Sequence, residues 1–140
     1  MFPTAQQQTA VPPEQLLHSG NATVVVERIA QIRSGFGTTA REALREACEY
    51  VNMKLVGRAS AFVYEEAFGV RDRVHWYIHM RTLADYYVLM GLDARTDPDA
   101  PRASYIQDWI PPDKGGGSWE RMLIQGSVRD VGLTPVSWPV

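Results

Sequence analysis

Residues 73–87 read "RVHWYIHMRTLADYY", and the fold turns on whether the two histidines lie on a helix or a strand. On a helix, His75 and His79 would share a face one turn apart and form a chelating pair. On a strand they also share a face, but at roughly 3.3 Å per residue they stand ~13 Å apart. The composition decides for the strand. "VHWYIHMR", 74–81, is β-branched and aromatic, with "VRDR" as a tight turn before it. Thr82, followed three residues later by Asp85, marks a helix start after it. A zinc ion holds its ligands about 2 Å away, so one metal cannot bridge both rings. With no HExxH or CxxC and only His18 besides, no metal is expected.

The strand reading sorts the side chains. Val74, Trp76, Ile78 and Met80 form an apolar face suited to lie beneath helices. His75, Tyr77, His79 and Arg81 form the other.

Before this strand, "RASAFVYEEAFG", 58–69, reads as its hairpin partner, with Phe62, Tyr64, Glu66 and Phe68 on one face. Residues 39–56 carry Ala40, Ala43, Leu44, Ala47, Val51 and Leu55 at helical spacing. A Thr39–Glu42 capping box opens that helix and Gly57 stops it. Cys48 falls beside the stripe and reads as a small core residue. "ATVVVERIAQIR", 22–33, alternates Val24, Val26, Ala30 and Ile32 with Val25, Glu27, Ile29 and Gln31, as a strand does. Residues 1–20, rich in Gln and Pro, are expected as a flexible arm with a helical turn around Gln15–His18.

After the strand, "LADYYVLMGL", 83–92, makes a second helix with Leu83, Tyr86, Tyr87 and Met90 on one side. A polar connection and a short helical piece, "SYIQDWI", lead to the Pro/Gly loop at 110–118. The loop lacks the spacing and following helix of a phosphate cradle. It is expected as a flap between Trp109 and Trp119, or as an ordinary connection. "WERMLIQGSVRDVGLTPV" reads as the last strand, bent at Gly126.

The order β-α-β-β-α-β gives an α+β, ferredoxin-like domain over 21–140: an antiparallel four-stranded sheet with both helices on one face. Its second face, carrying Ile29, Phe62, Tyr64, Phe68 and Tyr77, would be bare in a single copy, so a homodimer is expected. At 140 residues, 45% apolar and 21% charged, the chain suits one globular domain. A net charge of −2 with no basic stripe argues against nucleic acid as a partner. No apolar run is long enough to cross a bilayer, so no membrane is expected. The first twenty residues lack the pattern of a secretory signal. That, with Cys48 as the single cysteine, makes a cytoplasmic setting the expectation.

Three stretches, "VVVERIAQIR", "AFVYEEAFGVRDRVHWYIHMRTLADYY" and "DKGGGSWERMLIQGSVRDVGL", resemble the dimeric α/β-barrel superfamily. That group includes the antibiotic-biosynthesis monooxygenases and the NIPSNAP-like proteins; more narrowly, the chain resembles a small actinobacterial family. The likeness spans most of 22–135 but not the arm. It implies face-to-face pairing of two sheets and a link to natural-product pathways. Its members oxygenate, cyclise, isomerise or merely bind, so the fold does not fix a reaction.

In such a barrel the histidine face looks into the interior. His75 and His79 are the candidate bases, with Tyr64, Tyr77 and Glu66 as donors or orienters. Glu27, Gln31, Arg121, Gln125, Phe62 and Trp119 are candidate substrate contacts, and Arg28, Arg33 or Arg121 could meet a carboxylate or enolate. No dinucleotide loop, nucleophile elbow or cysteine pair appears, so no cofactor is expected. Three functions follow. The first is a cofactor-free acid–base enzyme acting on a conjugated or aromatic small molecule. The second is a ligand-binding protein with the same cavity, and the third a dimerisation module.

Overall fold

The computed structural model describes residues 4–89 and 121–137. Its regular elements are β1 (Val24–Gln31), α1 (Gly37–Lys54), β2 (Ala59–Glu65), β3 (Arg73–Met80), α2 (Leu83–Leu89) and β4 (Arg129–Leu133). The four strands form one sheet in the order β2-β3-β1-β4, antiparallel throughout. With helices after β1 and β3, this is the ferredoxin-like arrangement.

Period-two alternation sets which side is wet. The pairing aligns Val26 with Ile78, Ala30 with Val74 and Ala61 with Ile78. These residues, with Trp76 and Met80, meet Ala40, Ala43, Leu44, Cys48 and Val51 of α1 in one core. Cys48 is buried there, and burial pushes its thiol up to about 12, as befits a packing residue.

α1 starts earlier than its capping signal suggests. The helix begins at Gly37 with Phe36 at the N-cap and no side-chain cap, so Thr39 and Glu42 lie inside it. Arg41 fastens this first turn, bonding the Gly37 carbonyl, Glu65 and Asp72. The start of α2 follows the sequence signal, because Asp85 accepts from both the Thr82 amide and hydroxyl. Its other oxygen accepts from Arg58. Tyr86 packs on the core, whereas Leu83 is 55% exposed and does not join it. The Tyr87 side chain, Met90, the "SYIQDWI" piece and the 110–118 loop with its flanking Trp109 and Trp119 lie outside the described residues.

The segment expected as a flexible arm is docked. Two short 3-10 turns, Ala5–Gln8 and Pro13–Gln15, carry Val11 and Leu16 onto Phe62. The Leu17 carbonyl accepts from the buried Ser60 hydroxyl at 2.6 Å. Apolar burial and edge pairing together account for this. β2 is an edge strand whose outward backbone groups need partners, and side-chain amides supply them. Asn52 donates to the Ala61 carbonyl at 3.0 Å and accepts from its amide at 2.6 Å. Gln8 of the arm does the same for Val63, at 2.8 and 3.0 Å. Each amide imitates one residue of a missing neighbour strand.

Two further expectations need correction. β2 ends at Glu65, so Glu66 and Phe68 belong to the hairpin loop, where Phe68 is 97% exposed. The last strand is only Arg129–Leu133, because Gly126 adopts a φ of 81° in a turn closed by the Ser127 amide on the Ile124 carbonyl. The bend expected at this glycine is a full break.

Candidate functional site

The sheet face turned away from the helices is built from alternate residues of each strand. The register aligns Glu27 with Tyr77, Ile29 with His75 and Val25 with His79 on β1 and β3. It sets Phe62 beside Tyr77 and Tyr64 beside His75 on β2. β4 adds Val131 and Leu133 next to Glu27 and Val25. His75, His79, Tyr77, Tyr64 and Glu27 therefore share one surface, as expected. It divides into a charged ladder and a cleft.

The ladder centres on His75. Its Nδ1 lies 2.9 Å from Glu27 Oε1 and its Nε2 2.9 Å from Glu66 Oε2. Only an imidazolium can donate from both nitrogens. Burial opposes the charge, but the two carboxylates outweigh it and raise the pKa. Glu66 is held further by Arg73 on both carboxylate oxygens and by the Val70 amide at 3.0 Å. Bonds from Arg73, His75 and that amide keep it ionised far below the usual carboxylate range. The loop closes tightly on it. Gly69 has a φ of 141°, and a Cβ there would collide with the Glu66 carboxylate. Two cations and two anions thus balance in one chain, Arg73–Glu66–His75–Glu27.

Tyr77 joins the ladder to the cleft. Burial, then the charge of Glu27, its neighbour across the β1–β3 pair, raise the phenol's pKa and keep it protonated. Its ring meets that of Tyr64 edge-to-face, with centroids 5.4 Å apart and planes at 80°, a favourable aromatic geometry. The two tyrosines, His79, Ser19, Val25 and Leu133, with Ala22, Thr134 and Pro135, line a cleft of about 450 Å³. Among the described residues, no charged side chain lines it. The size and the mix of aromatic, apolar and hydroxyl groups suit a small organic molecule.

His79 differs from His75 in burial, partners and the direction of its pKa shift. It is 8% exposed, and burial, then the nearby charge of His18, lowers its pKa, so it is neutral at pH 7. Its Nε2 stands 3.4 Å from the Ser19 hydroxyl, while Nδ1 is buried with no hydrogen-bond partner among the described residues.

The remaining expected contacts lie elsewhere. Phe62 is under the arm. Gln31 points at the hairpin loop, donating to the Arg71 carbonyl at 2.7 Å. Arg121 and Gln125 are exposed in the segment before β4, since the strand register that put them on this face does not exist. Leu123, between them in sequence, is in the core. Arg28 lies on the helix side, paired bidentately with Asp130 at 2.6 and 2.7 Å above the Trp76 ring. Arg33 is exposed beyond the end of β1. Trp119 is outside the described residues. Conversely, Ser19, Val25 and Leu133 were not anticipated as site residues. Ser19 sits in a segment with no periodicity, and the other two look like ordinary strand residues.

Among solved structures, an uncharacterized NIPSNAP domain protein from Burkholderia xenovorans aligns with a TM-score of 0.52 at 11% identity. The match covers 84% of this chain and 98% of that one. An uncharacterized NIPSNAP-like domain protein from the same organism gives 0.51 at 14% identity, covering 86% and 90%. At such identities the likeness is one of fold alone. No curated protein matches the chain. The profile of a family of unknown function, DUF6039, matches residues 1–140. Over its whole length, on a ferredoxin-like fold shared with NIPSNAP-domain proteins, the chain belongs to the DUF6039 family.

Proposed function

We propose that this protein binds an uncharged conjugated or aromatic small molecule in the cleft on the open sheet face and moves protons on it without a cofactor. The single observation that carries this is the joining of a cleft of about 450 Å³ to the His75–glutamate ladder through Tyr77. A proton leaving the ligand passes to Tyr77 as Tyr77 gives its own to Glu27, which becomes a neutral acid while the negative charge moves onto the ligand. Cyclisation, rearrangement and oxygenation of an electron-rich ring each begin with such a step. The natural-product setting implied by the superfamily resemblance fits this chemistry.

A second copy of the chain completes the site. Tyr64 (45% exposed), Val131 and Leu133 are exposed apolar groups on the same face, and stacking two such faces buries them and roofs the cleft. The amide-capped edge of β2 directs association to the face and away from the strand. A cytoplasmic location belongs to the same reading. A second function, ligand binding without turnover, is favoured by one feature: the ladder's charges already cancel, as they would in a purely structural network.

Native mass spectrometry of the purified protein beside a denatured control tests the proposal. A mass of two chains with a reproducible small-molecule adduct, lost in Tyr77→Phe or Leu133→Arg variants that keep their fold, is the expected result. A bare monomer at every concentration overturns it.

A further inference from the structure

The deepest unanswered polar group in the described structure is the His79 ring. Its side chain is buried beside the cleft, Nδ1 is shut away from solvent, and no partner reaches it among the described residues. Nε2 alone has a polar neighbour, the Ser19 hydroxyl at 3.4 Å, longer than the 2.7–3.2 Å of ordinary hydrogen bonds. Buried N–H groups without acceptors are rarer in proteins than under-used acceptors. The ring therefore keeps its bare lone pair on the enclosed Nδ1 and its hydrogen on Nε2. This is also the tautomer that free histidine prefers. A neutral imidazole with Nε2–H directed at the cleft has no lone pair there, so it cannot take a proton from a ligand. It can only donate.

We propose that His79 is a neutral hydrogen-bond donor, not a base. Its Nε2–H grips an oxygen acceptor of the ligand, a ring-conjugated carbonyl or the enolate formed from it, in the place that Ser19 Oγ loosely holds. This rests on the ligand-binding reading of the cleft and deepens it by naming the group recognised. The rest of the cleft agrees. Tyr77 stands opposite Glu27 in the strand register, so Tyr77 marks the side where the ligand loses its proton. His79 faces the side where charge gathers on oxygen, and a neutral donor there stabilises that oxygen. The lowered pKa of His79 keeps it neutral at working pH. Among the described residues no Lys or Arg lines the cleft, which suits a neutral oxygen acceptor better than a carboxylate or phosphate. Ser19 also gives the docked arm a role in the site, as the hydroxyl that occupies the donor until a ligand arrives.

Long-range ¹H–¹⁵N correlation spectra of the three imidazoles at pH 7.5 read the tautomer directly, with assignments from His18, His75 and His79 substitutions. His79 is expected to show a protonated Nε2 and a bare Nδ1, and His75 protonation on both nitrogens. Binding is then compared for methyl 2-naphthyl ketone and 2-methylnaphthalene, which differ in the carbonyl. The ketone is expected to bind about tenfold more tightly, the worth of one hydrogen bond. His79→Leu should abolish that preference while leaving the hydrocarbon's affinity intact. His79→Gln, which can donate but cannot serve as a base, should keep most of it. A hydrogen on Nδ1, or a ketone preference that survives His79→Leu, overturns the donor assignment and leaves the cleft standing. If neither probe binds, the cleft reading fails and the role of His79 fails with it, whatever the tautomer.

Discussion

Replacing Asn52 with Ala tests the claim that side-chain amides stand in for a missing strand. Asn52 is 1% exposed and satisfies both backbone groups of Ala61, at 3.0 and 2.6 Å. The truncation leaves a buried N–H and a buried C=O without partners, each costing about 1–3 kcal/mol, or about 2–6 kcal/mol together. Against a total stability of about 5–15 kcal/mol, this is a large fraction. Gln8 makes the same pair of bonds to Val63 in a part-buried setting, where water can replace it. Its two bonds give about 0.5–1.5 kcal/mol each and are offset by the rotamer freedom that a Gln loses, so Gln8→Ala should cost about 1 kcal/mol or less.

Urea unfolding measures both. With a slope of about 2 kcal/mol/M, Asn52→Ala should lower the midpoint by about 1–3 M and Gln8→Ala by about 0.5 M or less, with the slope unchanged. Amide exchange at Ala61 should accelerate in the first variant and at Val63 in the second. Equal losses in the two variants, or a loss below about 1 kcal/mol for Asn52→Ala, would refute the reasoning, since water would then have reached the edge of β2.

Two further outcomes test the ladder. Protonated His75 has a raised pKa in the fold, so its contribution is complete below the unfolded value of 6.5 and disappears as pH rises through the folded one. Glu66 has the opposite sign: its contribution is present above the unfolded 4.5 and lost only as the solution becomes strongly acid. The stability gap between wild type and His75→Phe should therefore be widest near pH 5–6 and narrow toward pH 9; a gap that is flat or widens with pH contradicts a charged His75. In a second comparison, Gly57→Ala meets open space at a φ of 79° and should cost only backbone strain of about 1–2 kcal/mol. Gly69→Ala must also push Glu66 off its partners, so it should cost more and flatten the pH dependence assigned to His75. Equal effects at the two glycines would mean that the loop does not clasp Glu66.

Much of the fold was legible because it rests on periodicity. Alternation in β1 and β3 put Val26, Ala30, Val74 and Ile78 on the helix side, where they are. The Ala/Leu/Val spacing of α1 named its buried face correctly. What failed lacked a period. The arm has no repeating pattern because two of its anchors are local: a Gln8 amide on a strand edge and a Leu17 carbonyl on Ser60. β4 was misplaced because a strand's face depends on counting residues from a fixed point. The Gly126 turn resets that count, which moves Leu123 into the core and takes Arg121 and Gln125 off the open face. The capping box misled because Thr39 and Glu42 are equally at home within a helix when the first turn is fastened from outside, here through Arg41 to Glu65 and Asp72.

The two histidines show why a shared face can be read from sequence while the surroundings of each residue on it cannot. They are the same residue type, four positions apart on one strand and one face, and alternation alone treats them as equivalent. Their surroundings come from different parts of the chain. His75 receives Glu27 from β1 and Glu66 from the hairpin loop, and becomes a cation. His79 receives Ser19 from the arm and lies near His18, and stays neutral. On the proposed reading, one wall of the cleft leads to a carboxylate that takes a proton, and the other offers an N–H that holds an oxygen. Proton transfer on a bound molecule needs this asymmetry, because two equivalent histidines would give nothing to direct the proton. The asymmetry comes from contacts 48, 9 and 60 residues apart in sequence. The docked arm is therefore part of the surroundings of His79, because without it the ring would lose the Ser19 hydroxyl that faces its Nε2.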